Sequence, residues 1–272
     1  LLVLLLFPLV ALWTVVRPAK IILSHTPRDY LLPYEDVTLK TQDGLHLAAW
    51  YVVSPDGDIK RRRAIILVHG YPAEKADMLG VAAPLYPDFD LLLFDLRYFG
   101  KSEGWYTTLG IKERYDLKAA LSFLESKGYD KIGVLGFSLG GATALLSAPE
   151  DARIDAVVSY ASFSDLKTLG EESYRSIGIF RKPLVASMLL YARYLFGASA
   201  KEVSPVNAAR RIRTPVFLIH TKQDEQIPFG HAERLRDALR EQGRGEFYFP
   251  EAGLHGELPL DFNKKIKDFF QA

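Results

Sequence analysis

Lys131-Ile132-Gly133-Val134-Leu135-Gly136-Phe137-Ser138-Leu139-Gly140-Gly141-Ala142-Thr143-Ala144-Leu145-Leu146 is the stretch on which the fold turns. Its first half, from Lys131 to Phe137, is a continuous apolar run, the pattern of a parallel strand covered on both faces. Its second half is rich in Ala and Leu, which favour helix. Between them stands Gly136-x-Ser138-x-Gly140, with small residues on both sides of a serine. A strand that turns sharply into a helix strains the backbone at the junction, and side chains in place of the glycines would strike the flanking strand and helix. Such a turn exposes Oγ at the carboxyl end of the sheet and at the positive end of the next helix. Ser138 is therefore read as a nucleophile, with a purely structural turn as the alternative.

Working outward, the same kind of apolar run recurs at Ala64 to Val68, Asp90 to Asp95 and Ala156 to Tyr160, with Pro215 to His220 and Glu246 to Phe249 further on. Val37 to Lys40 and Leu45 to Val53 flank Asp43-Gly44 and read as an antiparallel hairpin. Ile111 to Lys127 and His231 to Gln242 carry apolar residues at helical spacing. Strands alternating with helices in this way predict a mostly parallel, eight-stranded sheet with helices on both faces, an α/β fold. Residues 165–204 interrupt the alternation with an apolar, aromatic stretch and no strand, and read as a small helical cap; an overlong crossover helix is the plainer reading.

A serine hydroxyl is a weak nucleophile near neutral pH and needs a base and a group to orient that base. In a sheet of this kind the chain order is serine, acid, histidine. Only His220, His231 and His255 follow Ser138. His255 lies in the loop between the last strand and the last helix, at the sheet end that carries Ser138, and is the expected base. His231 begins a helix and reads as a capping or surface residue, while His220 ends a strand and reads as a local packing residue. Asp224, in the loop after the Pro215 to His220 strand, is the expected acid, with Asp165 and Glu225 as rivals. The oxyanion donors expected are the backbone N–H groups of Leu139 and of Tyr71 in His69-Gly70-Tyr71-Pro72, with His69 bracing that loop.

The 34 Lys and Arg balance 33 Asp and Glu, so the chain has no strongly basic character of the kind nucleic acid demands. The basic triplet Arg61-Arg62-Arg63 reads as a solvated loop. The absence of cysteine rules out disulfides, thiolate metal sites and a cysteine nucleophile, and leaves the compartment open. Residues 1–16, LLVLLLFPLVALWTVV, are uncharged and apolar, and residues 1–23 are read as an N-terminal hydrophobic helix ahead of a catalytic domain over 24–272. A membrane anchor is the favoured reading, since Trp13, Arg17 and Lys20 sit where an interfacial belt belongs. A signal peptide, which would make the protein secreted or periplasmic, and a helix packed on the protein or a partner subunit are the alternatives; Arg17-Pro18 stands where a small-residue cleavage site should be. The chain opens on Leu1 rather than Met, so upstream residues are expected.

From about Tyr34 to Phe270 the chain resembles the α/β-hydrolase superfamily of esterases, lipases and prolyl-oligopeptidase-like enzymes. The resemblance is carried by His69-Gly70-Tyr71-Pro72, Asp95 to Ser102, Gly136 to Gly140, and Asp224 with His255. Thr26-Pro27-Arg28-Asp29-Tyr30 through Asp43-Gly44-Leu45 is similar to the start of membrane-associated Bem46-type members. The resemblance implies an α/β-hydrolase fold and a Ser138, Asp224 and His255 triad that makes and hydrolyses an acyl-enzyme without metal or cofactor. The expected substrate is a small-molecule carboxylic ester, apolar or lipid-like. Amide or peptide hydrolysis, thioester cleavage on acylated proteins and a non-catalytic binding role are the other readings. Tyr98 departs from the family's Arg-Gly-aromatic-Gly turn and is expected to narrow the pocket.

Overall fold

Apolar residues on both sides of each central strand dictate the architecture. In β3 (Ala64–Val68) every residue is buried; Ala64, Ile66 and Val68 enter one core layer while Ile65 and Leu67 enter the other. β4 (Asp90–Phe94) divides in the same way, Leu92 and Phe94 against Leu91 and Leu93. The computed structural model describes residues 2–53, 63–197 and 202–272. Arg61 and Arg62 of the basic triplet lie outside the described residues.

The remaining strands are β1 (Glu35–Lys40), β2 (His46–Val52), β5 (Ile132–Phe137), β6 (Ile154–Tyr160), β7 (Val216–Ile219) and β8 (Gly245–Tyr248). They form one eight-stranded sheet in the order β1-β2-β4-β3-β5-β6-β7-β8. β1 pairs antiparallel with β2, and β2 antiparallel with β4; from β4 to β8 every pairing is parallel. The expected eight-stranded, mostly parallel sheet is what the chain forms.

The helices are α1 (Leu2–Val16), α2 (Leu79–Ala82), α3 (Glu113–Ser126), α4 (Leu139–Ser147), α5 (Leu166–Ser173), α6 (Arg181–Phe196), α7 (Pro205–Ala209), α8 (Gly230–Glu241) and α9 (Phe262–Gln271). Leu117 and Leu121 of α3, Leu145 of α4 and Leu235 of α8 pack on one face of the sheet. Leu79 of α2 and Phe262, Ile266 and Phe270 of α9 pack on the other. The chain between β6 and β7 carries α5, a 3-10 turn at Arg175–Phe180, α6 and α7, and no strand among the described residues.

The apolar N-terminal run forms helix α1. Its 15 residues extend about 22 Å, short of the ~30 Å hydrocarbon core, and no described helix is long and apolar enough to cross a membrane. One side of α1 is already occupied: Leu12 and Val16 are buried with Leu184, Met188 and Phe196 of α6 in a third apolar cluster. The opposite side, with Leu6, Phe7, Val10 and Trp13, is exposed.

Buried ion pairs hold the loops at the carboxyl ends of the strands. Arg97 sends two guanidinium nitrogens to Asp116 on α3 and two to Asp43 in the β1–β2 turn, at 2.7–3.1 Å. Lys75 Nζ lies 2.6 Å from Asp95, which also accepts from the Lys75 and Lys101 N–H groups. Asp116 is wholly buried, so Arg97→Met leaves a carboxyl without its cation and should cost about 3–5 kcal/mol of stability. In urea unfolding, Arg97→Met/Asp116→Leu should recover part of that loss, and a single variant within ~1 kcal/mol of wild type would contradict the account.

Candidate active site

The turn after β5 is tight enough to be written in interatomic distances. A Cβ on Gly136 would fall 2.3 Å from the Gly140 carbonyl, one on Gly140 would fall 2.2 Å from Val68 O, and one on Gly141 would fall 2.2 Å from Ser162 Oγ. With those three positions stripped of side chains, α4 starts hard against β3 and β5. Ser138 takes up the turn at φ 51° and ψ −112°, in the left-handed region that L side chains rarely adopt. Its N–H donates to Tyr160 O at 2.8 Å and its carbonyl accepts from Ala142 N at 3.0 Å, so both sides of the strained residue are anchored. Ser138 is 7% exposed and lines a cavity of about 520 Å³.

His255 follows β8, in the loop before α9, and its ring lies on Phe137, centroid to centroid 4.8 Å. Its Nδ1 is 2.7 Å from Asp224 Oδ2, while Asp224 Oδ1 accepts from the N–H groups of Gln226 and Ile227 at 2.9 and 2.7 Å. Burial pushes the Asp224 carboxyl up, but the His255 ring and the Ile227 N–H outweigh it and hold it below the usual carboxylate range. A carboxylate on that side puts the imidazole proton on Nδ1 and leaves the Nε2 lone pair free to take another. Among the described residues no direct hydrogen bond joins Ser138 Oγ to His255 in this conformation; the His255 ring rests on Phe137, the residue before Ser138 in the chain. Such bonds are often long without substrate and tighten when it arrives.

Around this pair the structure assigns places to the other residues singled out above. Leu139 is the first residue of α4 and lines the cavity together with Tyr71. His69 is buried; its Nδ1 donates to Gly70 O at 2.7 Å and its Nε2 accepts from Leu96 N at 2.9 Å, so it ties the Tyr71 loop to the loop after β4. Glu225, a rival acid, accepts the His255 N–H at 2.9 Å and so holds the histidine's backbone rather than its ring. Asp165, the other rival, caps α5 by accepting from Thr168 N at 2.8 Å. His220 Nε2 donates to Ile227 O at 2.8 Å, a local bond of the kind expected.

Two expectations are overturned. His231 is not a surface residue: it is buried, its Nδ1 accepting from Ser164 N at 2.9 Å and its Nε2 lying 2.7 Å from Glu172 Oε2 on α5. Tyr98 does not line the cavity; its hydroxyl donates to Pro18 O in the segment after α1. Sequence reasoning also missed Glu113, a buried carboxylate at the start of α3 that accepts from Thr107 Oγ1, Thr108 N, Thr108 Oγ1 and Gly110 N and so shapes the loop on the cavity rim. A lone Glu opening a helix looks like any helix start. No described group of His, Asp and Glu side chains could hold a metal ion.

A family model described as the alpha/beta hydrolase fold matches residues 63–181. The uncharacterized protein YqkD of Bacillus subtilis is 32% identical over 173 residues, 61% of this chain and 56% of that protein. Protein bem46 of Schizosaccharomyces pombe is 24% identical over 211 residues, 75% of this chain and 64% of that protein. The chain thus spans less than two thirds of the length of either relative. Among solved structures, the esterase Pf2001 of Pyrococcus furiosus superposes with a TM-score of 0.76 at 24% identity, over 94% of this chain and 98% of that one.

The depressed Asp224 carboxyl fixes the sign of a pH effect on stability. Its contribution is complete above the ordinary carboxylate pKa of about 3.9 and is lost as pH falls through the lower folded value. Asp224→Asn should be less stable than wild type near neutral pH by about 1–3 kcal/mol. Urea midpoints of the two proteins should converge below about pH 4; a gap that persists unchanged into strong acid would refute the linkage.

Proposed function

The chain belongs to the α/β-hydrolase superfamily, and from that premise we propose that it is a serine hydrolase of carboxylic esters with Ser138 as nucleophile, His255 as base and Asp224 as orienting acid. The observation that carries the reading is the strained Ser138 at the floor of an apolar cavity, with the His255–Asp224 pair packed on its neighbour Phe137.

In the first half-reaction Ser138 Oγ attacks the ester carbonyl carbon and its proton passes to His255 Nε2. Charge builds on the carbonyl oxygen, where the N–H groups of Leu139 and Tyr71 receive it; a donor of this kind is worth about 2.7–4 kcal/mol in the transition state. The tetrahedral species expels the alcohol, which takes the proton from His255, and leaves the acyl group on Ser138. Water then gives its proton to His255 and attacks the same carbon; the acid departs and Ser138 regains its proton. Asp224 stays ionised throughout and stabilises the imidazolium each time it forms. Apolar walls favour an acyl chain over a charged substrate, since an unpaired charge in such a site would lose its solvation.

We also propose that the protein rests on a bilayer surface. Leu6, Phe7, Val10 and Trp13 of α1 are exposed, as are Ile179, Phe180, Leu190 and Tyr194 in the segment that packs beside it. Arg17 lies over Trp13, at 5.0 Å, where a headgroup phosphate would meet it.

Ser138→Ala should lower kcat on p-nitrophenyl esters by more than about 10,000-fold without moving the melting temperature, and should abolish labelling by a fluorophosphonate. Retained turnover rejects the nucleophile, and faster cleavage of the matching p-nitroanilide rejects the ester preference. Phe7→Glu/Trp13→Glu should reduce cosedimentation with phosphatidylglycerol vesicles at least fivefold; equal binding by the variant argues against the membrane contact.

A further inference from the structure

The carbonyl groups at the end of a helix have no partner within it and must find one elsewhere. At the end of α1 the Val15 carbonyl accepts from the Tyr71 hydroxyl at 2.8 Å and the Val16 carbonyl accepts from Thr107 N at 2.9 Å. The chain that follows stays attached to the domain: Pro18 O accepts from Tyr98, Lys20 Nζ reaches Ser102 O at 3.5 Å, and Leu23 N donates to Glu74. The helix is thus joined to the very loop that presents Tyr71. Leu12, Val15 and Val16, spaced so as to share one face of α1, line the cavity that opens at Ser138, and Val185, Met188 and Phe196 of α6 line it as well.

We propose that α1 is a wall of the acyl-binding site and that Leu12, with Met188 on α6, limits the length of acyl chain the site accepts. This deepens the ester-hydrolase reading and rests on Ser138 as the point of attachment. An acyl chain on Ser138 passes Tyr71 and Leu139 and then runs along apolar side chains of α1 and α6. Leu12 and Met188 are 5% and 8% exposed and belong to the cluster that joins the two helices, so bulk added there has no solvent to turn into and enters the cavity. The Tyr71 hydroxyl makes the wall and the oxyanion loop one unit, and burial pushes its pKa up to about 12, so it stays a donor across the working range of pH.

The test is a chain-length series of p-nitrophenyl esters from acetate to dodecanoate with wild type, Leu12→Trp, Met188→Trp and Leu12→Ala. For the two tryptophan variants the ratio of kcat/KM on decanoate to that on acetate should fall at least tenfold, mostly through KM; for Leu12→Ala the preferred length should increase. An unchanged profile in all three overturns the proposal while leaving Ser138 as nucleophile intact. A readout that needs no turnover separates the two ideas further: binding of a fluorescent dodecanoic acid to Ser138→Ala should weaken at least tenfold when Leu12→Trp is added. Weakened binding in a protein that hydrolyses no ester would reject the enzyme reading and keep the wall; unweakened binding rejects the wall. Circular dichroism on each variant, with Leu12→Met as the conservative companion expected to keep the wild-type profile, identifies any loss of fold.

Discussion

Everything at the carboxyl end of the sheet depends on one steric constraint, the approach of α4 to within contact of β3 and β5. Three positions where a single extra carbon would fall 2.2–2.3 Å from backbone or side-chain atoms permit that approach. The strain is concentrated at Ser138, and the surrounding bonds to Tyr160 O and from Ala142 N leave it no cheaper conformation. A side chain held this way is preorganised, which is what the proposed reaction asks of its nucleophile. The cost, about 1–3 kcal/mol for a backbone in a sparsely populated region, is met by the doubly covered sheet behind it.

The loops around that turn are fixed by polar contacts between distant parts of the chain. His69 joins the ends of β3 and β4, Arg97 joins the β1–β2 turn to α3, and Glu225 holds the backbone of His255. His69 and Arg97 are buried and Glu225 is exposed, and each reaches at least one partner 19 or more residues away in sequence, so the site's geometry is a property of the whole fold. His231 serves the segment above the cavity in the same manner, linking α8 to Ser164 and to Glu172 on α5.

What could be read from sequence follows from this division. The strands were legible because a doubly covered parallel strand must be apolar throughout, as Ala64–Val68 and Asp90–Phe94 are apart from the buried Asp90. The turn at Ser138 was legible because only glycine satisfies its contacts, and the meeting of Asp224 with His255 because chain order in such a sheet leaves few candidates for that contact. The placement of α1 was not legible: a helix apolar on every side carries no sign of which face will be covered, and its lack of charge suits a bilayer and a protein surface equally. Tyr98 and His231 were misread for a related reason. A tyrosine in a loop or a histidine opening a helix has no local signature for a partner such as Pro18 O or Glu172.

The packing of α1 on α6 also has a consequence for biosynthesis. Leu12 and its partner Leu184 are separated by about 170 residues of chain. At a translation rate of roughly 5–20 residues per second, the first helix leaves the ribosome about 10–35 s before its partner exists. Throughout that interval a wholly apolar segment is without its native cover, and its companions in the nascent chain are whatever binds hydrophobic surface first. The α1 side of the cavity is thus made well before the α6 side that covers it.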